Sequence, residues 1–228
     1  MKKLIMTAAV VACAGIVSAQ VYSDNIVGYN TSVKPGNGDL NMVGVSFVST
    51  SQTLNELFPA DQFQGDIFSA GGSDQVIVWN NGATAYDTYV YFDVSGYYGP
   101  GYESYDGWQT LAEFGTANYA NPVLPAGTAF WFRGSGGSDT TFLALGEVDQ
   151  AASASAPIAV GLQQIANPFA SDNTIGGLVG DQASGDIFSA VASDQIIVWS
   201  EGTQAYETYV YFDVSGYYGP GYESYDGW

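Results

Sequence analysis

The chain has 228 residues, and its 23 acidic side chains against 4 basic ones give a formal net charge of −19 at pH 7. It contains no histidine, which excludes serine–histidine and cysteine–histidine nucleophilic systems and ordinary zinc sites. A surface this acidic repels phosphate backbones and anionic lipid headgroups, so nucleic acid and bilayer surfaces are poor partners. Because hydrophobic residues make up 46% of the chain, we expect a folded core.

The N-terminus has the pattern of a secretory signal peptide over residues 1–19. A basic start, Met1-Lys2-Lys3, is followed by the apolar stretch Leu4–Val17, and Val17-Ser18-Ala19 is a small-residue cleavage site before Gln20. The apolar stretch is too short to be a good membrane anchor. We therefore expect a secreted protein, extracellular or at the cell envelope, with no membrane span after signal removal.

Cleavage before Gln20 removes Cys13, the one cysteine of the chain. The residues around Cys13 loosely resemble a lipoprotein processing site, but cleavage there would leave a much shorter apolar region. The mature chain then has no disulfide, and Lys34 and Arg133 are its bases, so its net charge is 2 − 23 = −21. This charge indicates either colloidal solubility without a cofactor or cation binding, with calcium as the open alternative.

Alternating apolar residues between glycine, proline and asparagine clusters predict an all-β fold. The expected strands cover residues 25–33, 41–48, 74–79, 88–94, 128–133 and 140–148. A short helical turn is expected over Thr53–Phe58, where Thr53 and Glu56 have the spacing of a capping box. No stretch has the periodicity of a longer amphipathic helix.

The strand over residues 88–94 alternates valine and phenylalanine with tyrosine and aspartate. We expect Val90, Phe92 and Val94 to face the core. The following segment, Ser95–Trp108, is too rich in glycine to be a strand throughout, so we expect a long structured loop or an irregular hairpin.

The segment Thr88–Trp108 recurs without a change at Thr208–Trp228, an offset of 120 residues. Over the wider windows 61–108 and 181–228, 38 of 48 positions are identical. Such a duplication predicts two tandem β-sandwich- or barrel-like units. The predicted organisation is a first unit over 20–148, a small-residue linker over 149–156 and a second unit over 157–228.

The second unit has no counterpart of residues 109–148, where we expect strands that carry much of the first unit's core. The large apolar residues of those strands are Phe130, Trp131, Phe132, Phe142, Leu143 and Leu145. Burying one such side chain is worth about 1.5–3 kcal/mol. We therefore expect the second unit to be incomplete, with an exposed apolar face and an open strand edge.

Four short motifs stand out: NIVGY after the signal peptide, ANPF at Ala166–Phe169, YDGW, and LPAGTAFWF. Together they resemble uncharacterised secreted tandem-repeat β proteins of environmental bacteria, over most of the mature chain. The resemblance implies secretion and a duplicated β architecture. It implies no catalytic residues, because that group has no established activity.

The tyrosine- and glycine-rich segment is the best candidate for contact with a ligand. Its candidate contact residues are Tyr97, Tyr98, Tyr102, Glu103, Tyr105, Asp106 and Trp108. Aromatic rings stack on sugar faces and carboxylates accept hydrogen bonds from sugar hydroxyls, so glycans are one class of partner and other envelope proteins are another. Alternatively, the tyrosines pack over a sheet edge. A calcium site would draw on Asp93, Glu103 and Asp106, although their spacing matches no EF-hand loop.

Three functions are consistent with these residues. The first is a non-catalytic structural or interaction role at the cell envelope or outside the cell. The second is a carbohydrate-binding module that uses the tyrosine- and glycine-rich segment. The third, far behind, is a carboxylate glycosidase with a pair such as Glu103 and Asp106. No nucleotide-binding or nucleophile motif is present, so we expect the protein not to be an enzyme.

We predict that the mature protein begins at Gln20, because Val17-Ser18-Ala19 has the pattern of a signal-peptidase site. N-terminal sequencing of secreted material would measure this. A mature terminus at a lipid-modified Cys13 would contradict it.

Overall fold

A computed structural model describes residues 27–47, 53–58, 60–116, 118–148, 161–167, 174–179, 183–200, 203 and 205–228. The predicted signal peptide, Cys13, the predicted linker over 149–156 and residues 157–160 lie outside the described residues, as do the side chains of Phe142 and Leu145.

The described chain is built mostly of β-strands, which confirms the all-β prediction. The strands are β1 Val27–Lys34, β2 Leu40–Gly44, β3 Gln75–Asn80, β4 Ala85–Phe92, β5 Gly107–Thr110, β6 Ala129–Arg133, β7 Thr140–Glu147, β8 Gln195–Ser200 and β9 Ala205–Val210. The α-helices are single turns: α1 Leu54–Leu57, α2 Val94–Tyr98, α3 Ile175–Val179 and α4 Val214–Tyr218. Among the described residues, no helix has the length and apolar character needed to cross a membrane.

The strands form three antiparallel sheets. The largest has the order β2-β6-β3-β4-β5, while β1 pairs with β7 and β8 pairs with β9. The core lies on one face of the five-stranded sheet, where Val76, Phe130 and Phe132 are buried. Helix α1 covers this face with the buried Leu54 and Leu57.

Helix α1 begins after Thr53, as the capping-box spacing predicts. The Thr53 N–H donates to the Glu56 carboxylate at 3.3 Å. This hydrogen bond satisfies a backbone donor that the first turn of a helix leaves without an intrahelical partner.

The predicted core face of β4 is only partly correct. Val90 is fully buried, as expected, but Tyr91 is the β4 residue that joins the main core cluster. Tyr91 lies opposite Trp108 of β5, with the two rings 5.3 Å apart. Val90 and Phe92 therefore point to the opposite face. Val94 lies beyond the strand and begins α2, so the segment after β4 contains a helical turn rather than only loop.

Strand β6 contributes to two surfaces. Phe130 and Phe132 are buried in the core as expected, and both point to the same face because side chains alternate along a strand. Trp131 points to the other face. There its ring lies 5.6 Å from that of Trp199 and 6.2 Å from that of Tyr206. The strand thus contacts residues from the second copy of the repeat.

A buried ion pair connects β1 to the start of β3. The Lys34 ammonium lies 2.6 Å from the Asp74 carboxylate, and both side chains are almost fully buried. Asp74 also accepts hydrogen bonds from the Gln64 N–H at 2.8 Å and from the N–H and hydroxyl of Ser135 at 2.7 and 2.9 Å. The carboxylate therefore joins three other segments of the chain to the start of β3.

We predict that Asp74→Asn destabilises the protein by about 3–5 kcal/mol, since it leaves the Lys34 charge buried and unpaired. The matched control is Asp194→Asn at the equivalent position of the second copy. Asp194 is exposed, so its substitution should change the free energy of unfolding by less than about 0.5 kcal/mol. Urea unfolding measures both, and equal effects would contradict the assigned role of Asp74.

We predict that titration of Tyr91 lowers the free energy of unfolding at alkaline pH. Burial, followed by the negative charges of Asp106 and Asp93, raises the pKa of the Tyr91 hydroxyl above its ordinary value of 10.0. Because the folded state holds this proton more tightly, the stabilisation is complete below about pH 10 and is lost as the pH rises further, by up to about 1.4 kcal/mol per pH unit.

The measurement is urea unfolding between about pH 9 and pH 11. Tyr91→Phe keeps the ring but removes the titrating group, so its free energy of unfolding should fall less steeply than that of the wild type. Identical slopes for the two proteins would show that Tyr91 does not contribute.

Candidate functional site

Five aromatic side chains form a continuous row of ring contacts on the surface beyond the end of β4. We call them the first aromatic row. Its members are Phe68, Tyr97, Tyr98, Tyr102 and Tyr105. Successive ring centroids are separated by 5.1, 4.9, 5.3 and 6.3 Å. Each ring therefore contacts the next at the distance of favourable aromatic pairs.

The members of the row are exposed, not packed over a sheet edge. Tyr97 and Tyr98 are each 60% exposed, and the remaining three rings are exposed as well. Among the predicted contact residues, Trp108 alone is buried. It lies in the core against Phe63 and Tyr91, so it supports the site from below and is not available to a ligand.

A second aromatic row repeats this arrangement in the second copy. Its members are Phe188, Tyr217, Tyr218, Tyr222 and Tyr225. The successive separations are 5.1, 4.9, 5.3 and 6.3 Å, the same as in the first row. The geometry is therefore set by the residues that the two copies share.

Two aspartates hold the turn that carries the first row. The Asp93 carboxylate caps α2 by accepting the Gly96 N–H at 2.6 Å. Asp106 accepts the Val94 and Ser95 N–H groups at 2.7 and 2.8 Å, and its other oxygen accepts the Ser95 hydroxyl at 2.6 Å. These carboxylates have a structural role, because they satisfy backbone donors at a helix N-terminus.

Two glycines allow the turn to reverse between Tyr98 and Tyr102. Gly99 and Gly101 have φ values of 89° and 101°. Residues with a Cβ rarely adopt such values, so glycine is required at both positions. The reversal brings the rings of Tyr98 and Tyr102 to within 5.3 Å of each other.

Glu103 lies beside the row and is fully exposed. Its two carboxylate oxygens accept the Gly101 N–H at 3.1 and 2.9 Å. Backbone hydrogen bonds, first from the N–H of Glu103 itself and then from Gly101, hold the pKa of the Glu103 carboxyl below its usual value. The side chain therefore remains a charged hydrogen-bond acceptor in neutral solution.

A shallow open cleft of about 350 Å³ lies at the Phe68 end of the row. It is lined by Gly65, Asp66, Ile67, Phe68, Gly96 and Tyr97. The sequence interpretation missed Phe68 because it precedes the tyrosine-rich segment. The signal was present, since GDIFSA at Gly65–Ala70 is repeated unchanged at Gly185–Ala190.

The structure does not gather the three predicted calcium ligands into a cation site. Within the described part of the chain, no group of three or more acidic, histidine or cysteine side chains is placed to hold a metal ion. Each of the three carboxylates instead accepts backbone N–H groups of its own turn. Calcium binding stays a prediction of the net charge alone.

The two basic side chains of the described residues are both used by the fold. Lys34 pairs with Asp74, and the Arg133 guanidinium donates to the Gly71 carbonyl at 3.2 Å. Neither lies in an aromatic row. The rows therefore present aromatic surface and carboxylates without a positive charge.

Comparisons of the chain with protein-family models, with curated proteins and with solved structures find no match.

Proposed function

We propose that this is a secreted, non-catalytic interaction protein, at the cell envelope or outside the cell, built from two tandem β-sandwich- or barrel-like units. Its contact surfaces are the two aromatic rows. One observation carries the proposal: five exposed rings are held in the same geometry twice.

The exposure of the rows favours a role in recognition. Contiguous aromatic surface is unfavourable in water, and large exposed apolar patches usually mark interaction sites. Tyrosine is also enriched among the residues that contribute most to protein interfaces. Because α2 and its aspartate cap fix the turn beneath the first row, little conformational entropy is lost on binding.

Two equivalent rows on one chain favour a repetitive partner. A polymer or a densely packed surface offers the same feature many times, so the second row binds at a high effective concentration once the first is engaged. Such linkage raises overall affinity by about 10²–10⁴ when the geometry permits both contacts. A weak contact at each row is then sufficient for firm attachment.

The state of the carboxylates supports a non-catalytic role. A glycosidase needs one carboxylic acid with a raised pKa to protonate the leaving group. The pKa of Glu103 is instead lowered by backbone N–H groups. Its suggested partner, Asp106, accepts three hydrogen bonds that hold the turn in place.

Carbohydrate binding is the second candidate. It is favoured by three consecutive rings that are closer to parallel than the rest: Tyr98 and Tyr102 are inclined by 33°, and Tyr102 and Tyr105 by 42°. Neighbouring ring faces of this kind stack on successive sugars, while Glu103 accepts hydrogen bonds from hydroxyl groups. A glycan array distinguishes this candidate from binding to envelope proteins.

We predict that replacing row tyrosines abolishes attachment of the purified full chain to cell envelopes of the producing organism. The first-row variant is Tyr98→Ala with Tyr102→Ala, and the second-row variant is Tyr218→Ala with Tyr222→Ala. Each should weaken binding by about tenfold or more, because it removes one of two linked contacts. Combining the two should remove binding altogether. Cosedimentation at increasing protein concentration measures the affinities.

The control is Tyr29→Ala, because Tyr29 is 73% exposed but belongs to neither row. This variant should bind as the wild type does. Equal binding by the four-tyrosine variant would contradict the proposed surface. Hydrolysis of a polysaccharide by the wild type, lost in Glu103→Gln, would contradict the non-catalytic role.

A further inference from the structure

The β8–β9 hairpin is more exposed than its counterpart β3–β4 on the face that β3–β4 turns to the core. The two hairpins have the same register, with Val76 opposite Tyr89 in one and Ile196 opposite Tyr209 in the other. Val76 is fully buried, whereas Ile196 is half-buried and Tyr209 is 37% exposed. A face that forms the core in the first copy is therefore open in the second.

The outer edge of β8 also has no neighbouring strand within the described part of the chain. Strand β3 has a neighbour on each side, β4 and β6, whereas β8 pairs only with β9 among the described residues. The Asp194 carbonyl accepts the Tyr211 N–H at 3.0 Å, towards β9. Because alternate residues of an antiparallel ladder direct their backbone groups to opposite sides, those of Gln195, Ile197 and Trp199 point to the open edge.

Nothing in the sequence of β8 protects this edge. Natural edge strands avoid further pairing through lysine, proline or inward-pointing charge. Strand β8 reads QIIVWS and contains none of these. It differs from β3, which reads QVIVWN and is paired along this edge, at only two positions.

The carboxylate at the start of β8 is incompletely used. In the first copy, Asp74 binds Lys34, the Gln64 N–H and both donors of Ser135. Its counterpart Asp194 keeps only the bond equivalent to that of Gln64, from the Ser184 N–H at 2.7 Å, within the described residues. Residues 181–228 contain eight acidic and no basic residues. We therefore expect the Asp194 carboxylate to attract a cation and hydroxyl or N–H donors.

We propose that β8 accepts an additional antiparallel strand from a partner whose chemistry matches residues 128–135, TAFWFRGS. Such a segment has a run of apolar residues, then a basic residue, then glycine and serine. In the first copy this segment pairs with β3 through Phe132 opposite Val76 and Arg133 opposite Gln75. On β8 the same register places the residues equivalent to Phe130 and Phe132 on the open face and the basic residue opposite Gln195. The serine of the segment can then donate to Asp194, as Ser135 donates to Asp74 in the first copy.

This inference concerns a different surface from the aromatic rows, so it does not depend on the proposed function. Its basis is strand addition, in which backbone hydrogen bonds along an open edge supply affinity and alternate side chains supply specificity. The charge of the receiving copy supplies a further preference for a basic partner.

The test is binding of a fluorescent synthetic peptide with the sequence of residues 126–137 to the full chain, followed by fluorescence anisotropy. In the first copy the Thr128 carbonyl accepts the Val45 N–H at 2.9 Å, towards β2. By alternation, the backbone of Trp131 faces β3 and that of Phe132 faces away from it. N-methylation of the Trp131 amide should therefore weaken binding by at least about tenfold, while N-methylation of the Phe132 amide changes it by less than about threefold.

A matched pair of protein variants tests the charge requirement. Asp194→Asn should weaken binding of the peptide about fivefold or more, with a reduced dependence on salt, whereas Asp87→Asn at an exposed position of β4 in the first copy should change it by less than about twofold. Absence of saturable binding, or equal binding of the two N-methylated peptides, would overturn the proposal. So would a chain that is already dimeric and does not bind the peptide, since the edge would then be occupied by a second copy.

Discussion

The buried pair of Lys34 and Asp74 is the interaction on which the first copy of the repeat depends. Two charges inside a protein are tolerated only when each is paired and hydrogen-bonded. Asp74 meets this condition through donors from the end of β1, from Gln64 and from the turn that follows β6. The buried Asp74 carboxylate is therefore fully paired only when β1, the segment at Gln64 and the turn after β6 are all in place.

Comparison of the two copies distinguishes features that the repeated residues determine locally from features that depend on packing against the rest of the chain. Both have the same hairpin register, the same aspartate caps and the same spacing of aromatic rings. These features are properties of the repeated residues themselves. Burial differs instead, because Trp108 is fully buried whereas its counterpart Trp228 is only half-buried. In the first copy, further core residues come from segments outside the repeat: β6 lies beside β3 in the same sheet, and α1 packs over its face.

The sequence predicted six of the strands β1 to β7, missed the short β5 at Gly107–Thr110, and identified the inner faces less well. Alternation locates a strand, but in β4 both sets of alternating residues are apolar enough to be buried, so the pattern cannot identify the inner set. Pairing with Trp108 decides in favour of Tyr91. The helical turn α2 after β4 was not predicted, because glycines are unfavourable in helices. Asp93 was the available signal, since aspartate is a typical helix N-cap. The aromatic row depends on positive φ at Gly99, which composition alone does not reveal.

The buried and the exposed tyrosines have different roles. Tyr91 lies in the core, where its ring packs against Phe63 and Trp108, so its contribution to stability is clear. Tyr97 and Tyr98 project from a helical turn that Asp93 and Asp106 already hold through backbone hydrogen bonds. Because these two rings remain mostly in water, they add little of the buried area that stabilises a fold. Folding therefore gives no reason for an aromatic residue at either position, whereas binding to an external surface does.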